Sequence, residues 1–198
     1  MSSSSNIADM AASAGREKGT GTFAASRPAG FVSPKVVAIY GVLTALTAAI
    51  TYASYTPFSP TKGYFNLGDS MVFFSALAFG WHAGAICGGI GSAAADILLG
   101  SGVYAPITLV AKGAEGLVSG AIGRVRGGKS WAVALGIGAG GACMILTYFL
   151  GELLLLNVGL GKALAEVPIN VAQVVLGGTI GALLSYYVKR SYPALTAQ

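Results

Sequence analysis

Asn66-Leu67-Gly68-Asp69, Asp96, Lys112 and Glu115 lie inside or at the edges of apolar, glycine-rich runs in a chain where only 10% of residues are charged. An ionisable group at membrane depth costs roughly 2.5 to 3.5 kcal/mol on insertion scales, so such a group usually faces a partner or a water-filled cavity. Several of them in one chain point to a polar pocket inside a helical membrane bundle, one that binds or moves a polar solute. Glu152, Glu166, Asn170 and Gln173 form a second polar group in the last two apolar stretches. Glu166, Asn170 and Gln173 follow one another at intervals of four and three, which places them on one helical face. Asn and Gln each offer donor and acceptor edges that can read a heterocycle without burying a charge. Tyr64, Phe65, Phe73, Phe74, Tyr104 and Tyr148 add rings able to stack on a flat ligand. Trp81 and Trp131 read instead as residues of the membrane interface.

Each polar position also has a purely structural role open to it. Asn66 and Asp69 precede a helical run and can cap it, accepting backbone N–H bonds at the positive end of the helix dipole. Lys112 can pair with Asp96 to hold two helices in register, or with Glu115 three residues along its own helix. Sequence leaves that choice open. His82 reads as an exposed turn residue, and Cys87 and Cys143, with no CxxC spacing and no neighbouring His, as small packing residues rather than metal ligands or a functional disulfide. A single His, no HExxH or GxSxG motif and no Walker motif argue against an enzyme, and no catalytic residue, metal or cofactor is expected.

The elements that must position these groups follow from hydropathy and breakers. With 54% hydrophobic residues and 30 glycines in 198, the chain is neither a soluble domain nor a disordered one. A bilayer core of about 30 Å takes about 20 apolar residues per helix, which leaves room for about six spans in an all-α membrane bundle. The expected helices run over about 35–55, 67–79, 83–99, 106–123, 131–156 and 163–188. The first stops before the two prolines of Pro57-Phe58-Ser59-Pro60, and Pro106 suits the first turn of the fourth. The second and third, with only a Gly-Trp-His-Ala-Gly corner between them, should pack as an antiparallel hairpin.

Three segments result: a flexible tail over residues 1–33, too polar and small to order itself and without the apolar run of a signal peptide, a bundle over 34–190, and a short tail over 191–198. An even number of spans puts both termini on one side, with Arg16, Lys18, Arg27, Lys35, Arg124, Arg126, Lys129, Lys189 and Arg190; only Lys62 and Lys162 fall opposite. Both tails are therefore expected in the cytoplasm of a multi-pass plasma-membrane protein. The net charge of +5 then answers to topology and anionic lipid, not to nucleic acid.

Gly41, Ala45, Ala49 and Ala53 recur every four residues on the first helix, a stripe that lets another helix approach closely. Spacing alone fits either a seam inside the bundle or a docking face for a partner. The glycines of the third helix (Gly84, Gly88, Gly89, Gly91) and the fifth (Gly136, Gly138, Gly140, Gly141) suit close packing within the bundle.

Together, the six spans, the small-residue stripe, Asn66-Leu67-Gly68-Asp69, Gly89-x-Gly-x-x-x-Ala-Asp96 and Ala105-Pro106-x-Thr-x-x-x-Lys112-Gly113 resemble the S components of energy-coupling factor (ECF) vitamin transporters, closest to the riboflavin-type and hydroxymethylpyrimidine-type branch. The likeness covers about residues 35–190. It implies a substrate-binding subunit that captures a vitamin or precursor (riboflavin, hydroxymethylpyrimidine or similar) at the outer face and docks on a transmembrane T component driven by two ATPase subunits. It further implies that Ala45 and Ala49, flanked by Gly41 and Ala53, contact the T component. The same resemblance implies an outer pocket drawing on Asn66, Asp69, Asp96, Lys112, Glu115, Asn170 and Gln173. The alternative is a stand-alone ion-coupled carrier of a small polar solute, which would use the same buried Asp and Lys.

Overall fold

The computed structural model describes residues 33–57 and 64–196. The tail expected over 1–33 therefore lies, but for Ser33, outside the described residues, as does Lys62. Helices dominate: α1 Pro34–Ala53, α2 Asp69–Phe79, α3 Trp81–Leu98, α4 Ala105–Gly123, α5 Ser130–Leu154, α6 Leu160–Ser191 and a final turn, α7 Pro193–Thr196. Two short strands, β1 Thr56–Pro57 and β2 Tyr64–Phe65, pair antiparallel with Thr56 opposite Phe65. The chain is an all-α membrane bundle with its breakers where the sequence put them: α1 ends four residues before Pro57, and Pro106 occupies the first turn of α4.

By length and hydropathy, α1, α5 and α6 can each cross a membrane. Their outward faces carry Val42, Leu46, Leu135, Leu146, Val175 and Leu183, all exposed, a distribution suited to lipid. Helices α3 and α4 are 18 and 19 residues long, and their glycines and polar groups dilute their hydropathy. The second helix falls within its expected bounds, but counting it as one of six spans needs correction. Helix α2 has only 11 residues, about 16 Å at 1.5 Å per residue, too short to cross the hydrocarbon core. It has no need to match the bilayer, because α1, α3, α4 and α6 surround it and ten of its residues are buried.

Small residues allow that enclosure. A Cβ added to Gly84 would meet Ala76 Cβ at 2.6 Å, and one on Gly88 would meet Val72 Cγ1 at 2.8 Å. These contacts are centred on Gly80, so α2 and α3 form the expected antiparallel hairpin. Its corner is tighter than the sequence suggests: Gly80 alone joins the helices, at φ +102°, a conformation that an L side chain rarely adopts. Gly84 of α3 also touches α4, where a Cβ would sit 2.6 Å from the Gly116 carbonyl oxygen, and Gly140 of α5 would meet the Glu115 carbonyl oxygen at 2.6 Å. The glycines of α3 and α5 thus serve packing within the bundle, except Gly138, around which there is open space. Gly177 and Gly181 of α6 face Ser70 and Phe73 in the same order along the chain, so α6 runs parallel to α2.

Alternation up and down the bundle brings both ends of the described chain to one side, where Lys35 Nζ donates to the Ala194 carbonyl at 3.0 Å. Helix α6 runs past the expected limit at residue 190 to Ser191, and α7 follows with Thr196 buried. Arg124, Lys129, Lys189 and Arg190 sit at helix ends on this same side.

The close helix approach yields a graded expectation. Gly84→Val and Gly116→Val should each destabilise the protein by about 1–3 kcal/mol, the usual range for overpacking, because the added atoms meet backbone that cannot swing away. Gly138→Val should change stability by less than about 0.5 kcal/mol, as surface substitutions usually do. Thermal unfolding in detergent, followed by circular dichroism, checks the contrast; equal midpoints for Gly84→Val and Gly138→Val would refute it.

Candidate functional site

The alternation that gathers the basic residues at one end gathers most of the polar side chains at the other. The last turns of α1, α3 and α5, the first halves of α4 and α6, and the segment leading into α2 meet there around a small cavity of about 30 Å³. Asn66, Asp96, Lys112, Asn170 and Gln173 border this cavity, together with Glu152 and Glu166. Asp69 and Glu115, both wholly buried, stand behind Lys112 rather than on the cavity wall.

Gln173 links two elements. Its Oε1 accepts from Asn66 Nδ2 at 2.8 Å and from the Asn66 backbone N–H at 3.0 Å, while its Nε2 donates to Asn170 Oδ1 at 3.0 Å. Asn66 Oδ1 in turn accepts the Gly68 N–H at 2.8 Å and shapes the turn that opens α2. Asn66 thus both braces a helix start and faces the cavity. Asp69 makes no capping bond. Its carboxylate accepts from Lys112 Nζ instead, and Lys112 also lies 3.4 Å from Glu115 Oε2. The choice the sequence left between Asp96 and Glu115 therefore resolves to Glu115 together with Asp69, 43 positions away in the chain.

Asp96 has a different partner: Tyr64 Oη, carried on β2, donates to its Oδ1 at 2.5 Å. Burial, with the Asp96 carboxylate adding to it, holds the Tyr64 phenol above its ordinary pKa, so this hydroxyl keeps its proton and remains the donor. Tyr148 Oη and Thr108 Oγ1 are 3.0 Å apart on another wall. Asp96 Oδ2, Glu152 Oε2, Thr51 Oγ1 and Ser92 Oγ are buried on cavity-lining residues without a hydrogen-bond partner. Such groups are costly when left unpaired, and a polar ligand is one means of satisfying them.

Thr51 and Ser92 border the cavity without having been singled out in the sequence, and Thr108, there only a position of the Ala105–Gly113 motif, borders it too. A helical-face argument finds them, since Ser92 and Thr108 each lie four residues before a singled-out residue, Asp96 and Lys112, and Thr51 continues the buried line Leu43, Thr47. That line also settles where the small-residue stripe points. Gly41, Ala45, Ala49 and Ala53 are all exposed on the opposite face of α1, so they form no seam within the bundle. The seam uses the other side, where a Cβ on Gly91 of α3 would meet Thr47 Cβ at 2.7 Å.

Residues 31–190 match the family described as ECF-type riboflavin transporter, S component. A protein of Pyrococcus woesei, described as an uncharacterized protein in the gap 3' region, is 38% identical over 136 residues, which cover 68% of this chain and 88% of that one. The fold is similar to a solved structure of the S component of a bacterial ECF transporter, with a TM-score of 0.62 over 81% of this chain and 97% of that one, at 17% identity. The last comparison bears on the fold alone. Breadth of match together with the membrane bundle places this chain in the ECF-type riboflavin transporter S component family.

Proposed function

We propose that this protein is the substrate-binding subunit of an ECF-type importer, that it captures a small vitamin or vitamin precursor in the cavity among α1, α3, α4, α5 and α6, and that it docks through α1 on a transmembrane T component powered by two ATPase subunits. The observation that carries the substrate half is the convergence of Asn66, Asp96, Asn170 and Gln173, all buried, on one cavity at the end of the bundle opposite the basic residues. Basic residues favour the cytoplasmic side, so this end faces outward in the plasma membrane, where an importer meets its substrate. Binding is non-covalent: amide and carboxyl groups read the polar edges of a small heterocycle and tyrosine rings cover its faces. The docking half rests on the exposure of Gly41, Ala45, Ala49 and Ala53, a line of small side chains along the outward face of α1 that lets another helix approach closely.

Gln173→Ala removes the link between Asn66 and Asn170 and should weaken substrate binding by about 1–3 kcal/mol, the range for stranding a buried hydrogen-bond partner. The substrate, identified by mass spectrometry of what the purified protein retains, is titrated calorimetrically into wild type and variant; an unchanged affinity would move the pocket elsewhere.

Ala45→Trp and Ala49→Trp should leave that affinity within about twofold and abolish co-purification with the T component, because an indole prevents close backbone approach. A tryptophan variant that still assembles would exclude this face.

Concentrative uptake needs an energy source, and the sequence holds no phosphate-cradling motif. Liposomes containing only this protein should therefore show substrate binding without accumulation under a sodium or proton gradient. Accumulation under either gradient would instead identify a stand-alone ion-coupled carrier.

A further inference from the structure

Helices α5 and α6 meet closely at Ile137, where a Cβ on Gly178 would lie 2.5 Å from Cγ2, and part toward the basic end of the bundle. Ser130, Ala134 and Gly138, each four positions from the next, leave one face of α5 without bulk there. A groove of about 1080 Å³ opens between the two helices. Val175, Leu183 and Tyr186 of α6, all exposed, form its other wall. Gly138, unlike the other glycines of α5, packs against no neighbouring helix: a Cβ added to it would meet open space in the groove.

Length and charge decide what suits this groove. From Val175 to Tyr186 it follows α6 for about 16 Å at 1.5 Å per residue, about half of a hydrocarbon core of about 30 Å. That is the depth of one leaflet. At its mouth stand Lys189 and Arg190, the latter donating from Nη1 to Tyr186 Oη at 3.1 Å. Lys189, Gly127 and Gly128 also border a recess of about 350 Å³ that Arg124 shares. Among the described residues every acidic side chain lies in or behind the cavity at the opposite end, and none pairs with these three cations. A basic rim at headgroup depth attracts anionic lipid, and the apolar cleft leading from it takes an acyl chain along its length.

We infer that the α5–α6 groove is a binding site for one anionic phospholipid, its acyl chain along Ala134 and Gly138 and its phosphate against Lys189 and Arg190. The site lies apart from the substrate cavity and does not depend on that reading. In the test, the purified full chain, stripped of lipid in detergent, is titrated with phosphatidylglycerol or with phosphatidylcholine of the same acyl chains, and bound lipid is counted by native mass spectrometry. Phosphatidylglycerol should bind as a single molecule and at least about fivefold more tightly, because one basic residue beside an anionic lipid contributes about 1 kcal/mol. This comparison needs no variant. Lys189→Gln combined with Arg190→Gln should abolish the preference and leave phosphatidylcholine binding unchanged. Gly138→Phe, whose ring enters the groove rather than the bundle, should weaken both lipids, with circular dichroism recording the fold; Ala134→Phe repeats the block from one turn away. Glycerol 3-phosphate, charged but without acyl chains, should fail to displace the lipid at equal concentration. Equal binding of the two lipids overturns the site and leaves the rim to the chain's own acids at Asp9 and Glu17. A preference that survives the double substitution, undiminished lipid binding in the folded phenylalanine variants, or displacement by glycerol 3-phosphate overturns it as well.

Discussion

The Lys112 ammonium group, placed between Asp69 of α2 and Glu115 of its own helix, is the interaction on which the arrangement of this bundle turns. Breaking a buried ion pair by removing one partner costs about 3–5 kcal/mol, because the remaining charge has nothing to meet it. The i, i+3 contact with Glu115 is local and would form on an isolated helix; the contact with Asp69 forms only when α2 lies beside α4. It therefore fixes the register of a helix too short to be held by the membrane. Once Asp69 is in place, the preceding turn presents Asn66 to Gln173, and α2 lies parallel to α6 over the length between Gly177 and Gly181. The triad does not line the cavity as a unit, yet it sets the position of groups that do.

Charge alone could not bring the helices that close. The axes of α2, α3, α4 and α5 approach through glycines, with backbone atoms at Gly84, Gly116 and Gly140 meeting where side chains would ordinarily stand. Without a hydrophobic driving force between helices in lipid, such contacts supply the dispersion attraction that larger residues supply in water. Lys112 and Asp69 can then reach each other across the interface. Glycine abundance in the sequence thus serves polarity indirectly: it lets buried charged groups find partners in a medium that offers none.

Helix boundaries were legible to within a few residues because apolar runs and their breakers are local signals. The corner at Gly80, the prolines after α1 and the polar line Glu166, Asn170, Gln173 all announced themselves through composition or period. The central placement of α2 did not, since an 11-residue apolar run reads alike whether it faces lipid or protein. Nor did the Asp69–Lys112 pair. The partners are 43 positions apart, and competing acids at Asp96 and Glu115 were equally available on charge grounds. Thr51 and Ser92 escaped notice for another reason: hydroxyl residues are common on membrane helices, where they bond back to the preceding turn as Thr47 does to the Leu43 carbonyl. Only the direction of the side chain separates a wall residue from such a helix-satisfied one.

Helix α1 brings the two halves of the proposed function onto one rigid element. Leu43, Thr47 and Thr51 form its buried face, with Thr51 on the cavity, and Gly41, Ala45, Ala49 and Ala53 form the opposite face. Residues two apart on a helix differ by about 200° around its axis, so the two faces cannot move independently. A substrate that shifts Thr51 against Gly68 and Ser92 would displace the small-residue stripe by a similar amount. Gly91 lets the α3 backbone meet α1 at Thr44 and Thr47, and Leu43 seats the same helix in the apolar cluster of Met71, Ala78, Phe79, Ala83 and Cys87. The cavity wall and the outer face of α1 are thus two sides of one helix, set against a core whose α2–α4 register the Lys112 triad holds in place.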